Sequence, residues 1–122
     1  MQDFKHEVNH LEEKYGKPGG RIYVAYYDGE LAGCIGLKKI DKNQGEMKRL
    51  YVRQKFRGKH IGLLLAKKIV EGAKKIGYKA ILLDTLPSLE SAIKMYKKMG
   101  FYEISQYNDS PMKDAIYLKL DL

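Results

Sequence analysis

The chain has 122 residues, 44% of them hydrophobic and 31% charged, with a formal charge of +8 and one cysteine. That composition fits one soluble domain over residues 1–122. It excludes a disordered tract, an internal disulfide and, with no apolar run near the ~20 residues a bilayer requires, a membrane-spanning helix. The positive charge suits an anionic partner, and the opening MQDFKHEVNH carries no apolar export segment, so a reducing, cytoplasmic setting is expected.

Residues 4–15 place Phe4, Val8, Leu11 and Tyr15 on one helical stripe behind Asp3 as N-cap, which predicts a helix. PGG at 18–20 breaks the chain. Two strand-like runs then flank Asp28-Gly29, a hairpin signal because both turn positions favour positive φ. EMKRLYVR, residues 46–53, reads as a third strand and leads into FRGKHIG, residues 56–62. The run IGLLLAKKIVEGAKKIG forms a helix with Ile61, Leu65, Ile69, Ala73 and Ile76 on one side and Lys67, Glu71, Lys74 and Lys75 on the other.

KAILLDT, residues 79–85, is a mostly apolar strand buried on both faces. Pro87-Ser88 opens a second helix, with Leu89, Ala92, Ile93, Tyr96 and Met99 on one stripe and Gly100 at its end. FYEISQY and AIYLKLDL close the chain as strands joined by the turn-rich NDSPMKD. The predicted order is helix, three strands, helix, strand, helix, two strands: an α/β sandwich on a mixed sheet.

FRGKHIG lies between a strand end and a helix start. First-turn N–H groups have no partner inside the helix, and with the helix dipole they favour an anion. Gly58 and Gly62 allow close backbone approach, and Arg57 and Lys59 add charge. The stretch matches neither G-x-x-x-x-G-K-[ST] nor G-x-G-x-x-G, so a P-loop and a Rossmann dinucleotide site are excluded.

The run EMKRLYVRQKFRGKHIGLLLAKKIV resembles the acetyl-CoA-binding motif of the GNAT N-acetyltransferase superfamily: Arg or Gln, two residues, Gly, one residue, then Gly or Ala. Arg57 fills its first position and Gly62 its last. SAIKMYKKMGF, residues 91–101, is similar to the family's later motif, a helix with a tyrosine shortly before Gly-Phe. The resemblance covers residues 22–122 and departs at His60, where the family has glycine. A His60 with positive φ costs about 1–2 kcal/mol, whereas a helical His60 costs little.

The resemblance implies a mixed, mostly antiparallel sheet of about six strands flanked by helices. It also implies acetyl-CoA as cosubstrate and direct attack by a primary amine of a small molecule or peptide, with no metal. Tyr96 matches the tyrosine that protonates the departing sulfur; as a mid-stripe residue it also suits the core. Glu46 matches a glutamate that serves as base, against the alternative of a surface carboxylate paired with Lys48, and Asp84 is a weaker candidate. The pantetheine arm would pair with Leu50, Tyr51 and Val52. Phe56, Arg57, Gly58, Lys59, His60, Ile61 and Gly62 would hold the pyrophosphate, with Lys55, Lys59 or Lys98 at the 3′-phosphate.

HEVNH, residues 6–10, matches H-E-x-x-H, but the predicted helix turns His6 and His10 away from its core stripe, so no zinc site is expected. Cys34 reads as a small buried strand residue. Only 21 residues precede the first clear strand, so the family's first strand and first helix are expected to be missing. The exposed edge this leaves would be covered by a second copy in a homodimer. Two other readings fit the same residues: a non-catalytic CoA-binding module, and a basic nucleic-acid-binding domain. The second is disfavoured by the lack of a helix-turn-helix, a zinc finger or a base-stacking platform.

Overall fold

The computed structural model describes residues 8–14 and 20–122. The chain runs β1 (Val8–Lys14), β2 (Arg21–Tyr27), β3 (Glu30–Lys39), β4 (Gln44–Val52), a 3-10 turn (Gln54–Phe56) and α1 (Ile61–Ile76). It continues through β5 (Ala80–Thr85), α2 (Glu90–Met99), β6 (Tyr102–Ile104) and β7 (Ile116–Asp121). The strands form one seven-stranded sheet in the order β1-β2-β3-β4-β5-β7-β6. Every neighbouring pair is antiparallel except β4 and β5, which α1 connects as a crossover.

The helix expected over residues 4–15 is corrected. Its described part is strand β1, paired antiparallel with β2 from Val8↔Tyr27 to Lys14↔Ile22. The i, i+3 stripe of Val8 and Leu11 was a false signal, because pairing with β2 outweighs a short helical periodicity. Strand β1 covers the β2 edge whose exposure motivated a homodimer. His6 lies outside the described residues; His10 sits in a strand opposite Tyr26 rather than on a helix face.

The Asp28-Gly29 hairpin forms with φ of 49° and 80°, the left-handed pair its residues foretell. The helix expected from 61 buries Ile61, Leu65, Ala66, Ile69 and Ala73 against β2, β3 and β4. Gly77 ends it in the left-handed conformation, its N–H donating to Ala73 and Lys74 carbonyls. Helix α2 ends the same way at Gly100, and Phe101 N then donates to Tyr96 O at 3.0 Å. That turn folds Phe101 back onto the Tyr96 ring, 5.5 Å between centroids.

Alternation along β2 and β3 turns Tyr23, Ala25, Ile35 and Leu37 into one core with α1, Met47, Ile81, Leu83, Tyr96, Phe101 and Leu118. Burying these side chains stabilises the fold by roughly 1.5–3 kcal/mol for each large one. On the opposite sheet face Ile22 is exposed and Val24, Tyr26 and Cys34 are half-buried, so Cys34 is less enclosed than expected.

Candidate active site

Parallel pairing of β4 with β5 covers Gln44↔Ala80, Gly45↔Ile81 and Glu46↔Leu82 and then stops, although β4 runs on to Val52 and β5 to Thr85. A register shift in the β3–β4 ladder, between Cys34↔Tyr51 and Gly36↔Lys48, puts one extra residue into β4. Such a bulge bends and twists its strand, and here it turns β4 away from β5. Gly33 accommodates the bend: a Cβ there would lie 2.5 Å from Tyr51 O. The cavity opened by the parting is about 300 Å³, and Met47, Leu50, Leu83, Asp84, Thr85 and Tyr96 are among the residues that line it. The strands therefore splay as the resemblance implies, and Leu50 faces the gap. Tyr51 and Val52 pair with Cys34 and Gly33 through their other backbone edge.

The β4–α1 loop is anchored by residues that do not face a ligand. Arg53 N donates to Ala32 O at 2.8 Å, and Arg53 Nη1 to Leu31 O at 3.0 Å. Phe56 is buried against Tyr27, with ring centroids 5.3 Å apart. Phe56 and Ile61 thus contribute backbone, not side chain, to whatever the loop holds. Lys55 is engaged by Glu30 at 2.7 Å, which holds the Glu30 carboxyl below its ordinary range. Lys59 lies 5.1 Å over the Tyr27 ring, and Arg57 Nε donates to Val52 O at 3.3 Å. Lys98 is exposed on α2.

His60 is the N-cap of α1 at φ 61° and ψ 19°, so the left-handed alternative holds and its cost of about 1–2 kcal/mol applies. No side chain caps the helix, and the first bond along it is Leu64 N to His60 O at 3.1 Å. The amides of Ile61, Gly62 and Leu63 accordingly lie in a first turn without intrahelical acceptors. A Cβ on Gly58 would meet nothing within 4 Å, and one on Gly62 only Val52 Cγ2 at 3.7 Å. Internal packing therefore does not require glycine at Gly62. First-turn amides of this kind can accept a phosphate group.

Tyr96 is 6% exposed and its hydroxyl has no hydrogen-bond partner among the described residues, yet no buried side-chain polar atom among them is unsatisfied, so the hydroxyl keeps some access to solvent. Tyr96 is also one of the residues that line the cavity. Burial pushes the phenol up to about 12, which keeps it protonated and able to donate. Glu46 is also 6% exposed, so it is not a surface carboxylate, although Lys48 Nζ approaches its Oε1 at 3.6 Å. Its Oε2 accepts from Tyr107 Oη at 2.5 Å and from Asn108 Nδ2 at 3.2 Å. Asp84 is exposed and accepts from the same Asn108 nitrogen at 2.8 Å. Burial, then the bond to Glu46 and the charges of Glu46 and Asp84, drive the Tyr107 phenol far above its ordinary range.

Tyr107 and Asn108 are the residues that sequence reasoning missed. Tyr107 closes the run FYEISQY that reads as a strand, whereas the observed strand ends at Ile104, and Asn108 opens the turn-rich stretch; no local pattern ties them to Glu46, 61 and 62 positions away. Among the described residues no group of three or more His, Cys, Asp or Glu side chains is placed to hold a metal. No described helix is long and apolar enough to cross a membrane.

Residues 2–101 match the family described as the acetyltransferase (GNAT) family. An uncharacterized N-acetyltransferase of Schizosaccharomyces pombe is 36% identical over 124 residues, covering 100% of this chain and 76% of the relative. One from Dictyostelium discoideum is 32% identical, covering 100% of this chain and 85% of its own length. Among solved structures, a GNAT family acetyltransferase from Elizabethkingia anophelis with acetyl-CoA bound superposes with a TM-score of 0.73 at 27% identity, over 85% of this chain and 77% of that one.

Proposed function

Because the chain belongs to the acetyltransferase (GNAT) family, we propose that it transfers acetyl from acetyl-CoA to an amine by direct attack in the cleft between β4 and β5. The observation that carries this reading is the end of β4–β5 pairing at Glu46↔Leu82, in a sheet whose β4 leads to the uncapped start of α1. When bound, acetyl-CoA supplies the activated acyl group as a thioester. The amides of Ile61, Gly62 and Leu63 receive its pyrophosphate, with Arg57, Gly58 and Lys59 alongside. The freed edge of β4 around Leu50 offers backbone partners to the pantetheine amides, groups that otherwise need other partners once buried.

Glu46 takes the proton that an attacking ammonium must lose, directly or through water. Tyr96, protonated and lining the cavity, gives its proton to the departing sulfur. Lys98 is the remaining lysine for the 3′-phosphate, since Lys55 is held by Glu30 and Lys59 sits over Tyr27. The acceptor is a primary amine of a small molecule or peptide. A cytoplasmic setting belongs to the same reading and rests on the single cysteine. A homodimer stays part of this reading as a proposal; sedimentation as a monomer at micromolar concentration removes it.

Thermal unfolding with acetyl-CoA tests the assignment. A hundredfold excess over Kd should add about 2.7 kcal/mol of stability, and free-thiol release across a panel of primary amines should identify turnover. Absence of both, with a steep salt-dependent affinity for DNA or RNA, would favour the nucleic-acid reading.

A further inference from the structure

The connection between β6 and β7 carries hydrogen bonds that have no role in building the sheet. Ser110 N donates to Asn108 Oδ1 at 3.0 Å, and Met112 N to Ser110 Oγ at 3.3 Å. Gln106 Nε2 donates to Asn108 O at 2.7 Å. Tyr107 stands edge-on to Tyr117 of β7, with centroids 5.5 Å apart. Because Asn108 Oδ1 is occupied by an N–H donor, its amide nitrogen must face the other way, toward Glu46 and Asp84. One amide group therefore ties β4 to β5 across the gap where their backbones no longer pair.

We infer that Tyr107 and Asn108 are positioning residues for acetyl transfer: they hold Glu46 Oε2 between them, leaving Oε1, whose neighbour is the longer and half-exposed contact to Lys48 Nζ at 3.6 Å, to take the proton from the acceptor. This rests on the reading of Glu46 as the base. An ammonium N–H proton moves to Oε1, and the nitrogen lone pair so freed forms the bond to the acetyl carbon. The carbon–sulfur bond then breaks with its pair on sulfur, sulfur takes the Tyr96 proton, and the second proton that the nitrogen sheds as the amide forms passes through water to the Tyr96 oxygen. A carboxylate rotating about its own axis would present either oxygen to the cleft. Two donors on one oxygen hold a single orientation, and misplacement of a reacting group by about 1 Å can reduce rate about 100-fold.

The test is a double-mutant cycle read by free-thiol release from acetyl-CoA with the fastest amine of the panel, beside calorimetric titration of acetyl-CoA into each variant. Tyr107→Phe, which keeps the ring against Tyr117, and Asn108→Ala should each lower kcat about tenfold or more, with the acetyl-CoA Kd unchanged. In a Glu46→Gln background the same substitutions should change kcat less than about twofold, because they act through the carboxylate already removed. Equal losses in both backgrounds, or no loss from Tyr107→Phe, would overturn the inference while leaving acetyl transfer intact. A chain that neither binds acetyl-CoA nor releases thiol with any amine would remove the underlying reading and this inference together.

Discussion

The two ends of the cleft are built on opposite plans. At the α1 end, the first-turn residues 61–63 present main-chain amides, while the Phe56 and Arg57 amides are spent inside the turn before them; the side chains of Phe56 and Ile61 are turned into the core to hold that main chain still. At the other end, Glu46, Asp84, Tyr107 and Asn108 meet from two strands and a connection through side chains alone, and Asp84 and Tyr96 line the cavity. The first end binds by geometry that any residue supplies, so it is robust to substitution outside its close-approach positions. The second depends on particular functional groups, so single atoms matter there.

The largest effect that would sharpen this contrast is at Tyr96. Tyr96→Phe removes one oxygen and should lower kcat about 100-fold with acetyl-CoA Kd unchanged; steady-state kinetics beside calorimetry checks it, and undiminished turnover would leave Tyr96 as a core residue only. The same hydroxyl sets a pH dependence of stability. Its pKa rises from an ordinary 10.0 in the unfolded chain to about 12 in the fold. Its contribution is therefore fully present below pH 10 and is lost as pH climbs toward 12, by about 2 kcal/mol. Urea unfolding across that range should show the decline, and Tyr96→Phe should reduce it by that amount, leaving the part that the raised Tyr107 phenol contributes.

Gly62→Ala probes the backbone end through two opposite signs. Alanine suits a helix better than glycine by about 1 kcal/mol and has room here, so Tm should rise. Acetyl-CoA affinity should nevertheless fall about tenfold, because a methyl would stand where phosphate approaches. A rise in Tm with unchanged affinity would reduce the loop to a plain turn. The smallest effect is at His60. His60→Gly relieves a left-handed backbone by about 1 kcal/mol, less whatever its side chain contributes. Differential scanning should show Tm up by a few degrees, and a loss of affinity would show that the imidazole itself meets the ligand.

Legibility in the sequence follows the same division. The uncapped start of α1 could be read because its signal is local: Arg57, Gly58 and Gly62 sit at fixed offsets before an amphipathic run. The Asp28-Gly29 hairpin and the Gly77 and Gly100 helix ends were readable for the same reason, each needing only its own residues in a left-handed turn. Tyr96 and Glu46 entered through the resemblance, because neither its helix stripe nor its strand position distinguishes a catalytic group from a packed one. Tyr107 and Asn108 stayed hidden, since what matters about them is a partner 61 or 62 residues away. Residues 8–14 misled in the other direction: Val8 and Leu11 keep a helical spacing, and only the presence of β2 alongside makes them a strand.

The sheet is joined across its middle by only three parallel rungs, at Gln44, Gly45 and Glu46. Everything from β1 to β4 is a run of neighbours in sequence, and β5 to β7 form a second block. The line proposed to admit acetyl-CoA is thus also where backbone pairing between the two blocks is thinnest, and a molecule lodged there would act as mortar. Occupancy should slow amide hydrogen exchange most steeply along that line and the start of α1, while the outer hairpin of β2 and β3 exchanges at its own pace, indifferent to cargo.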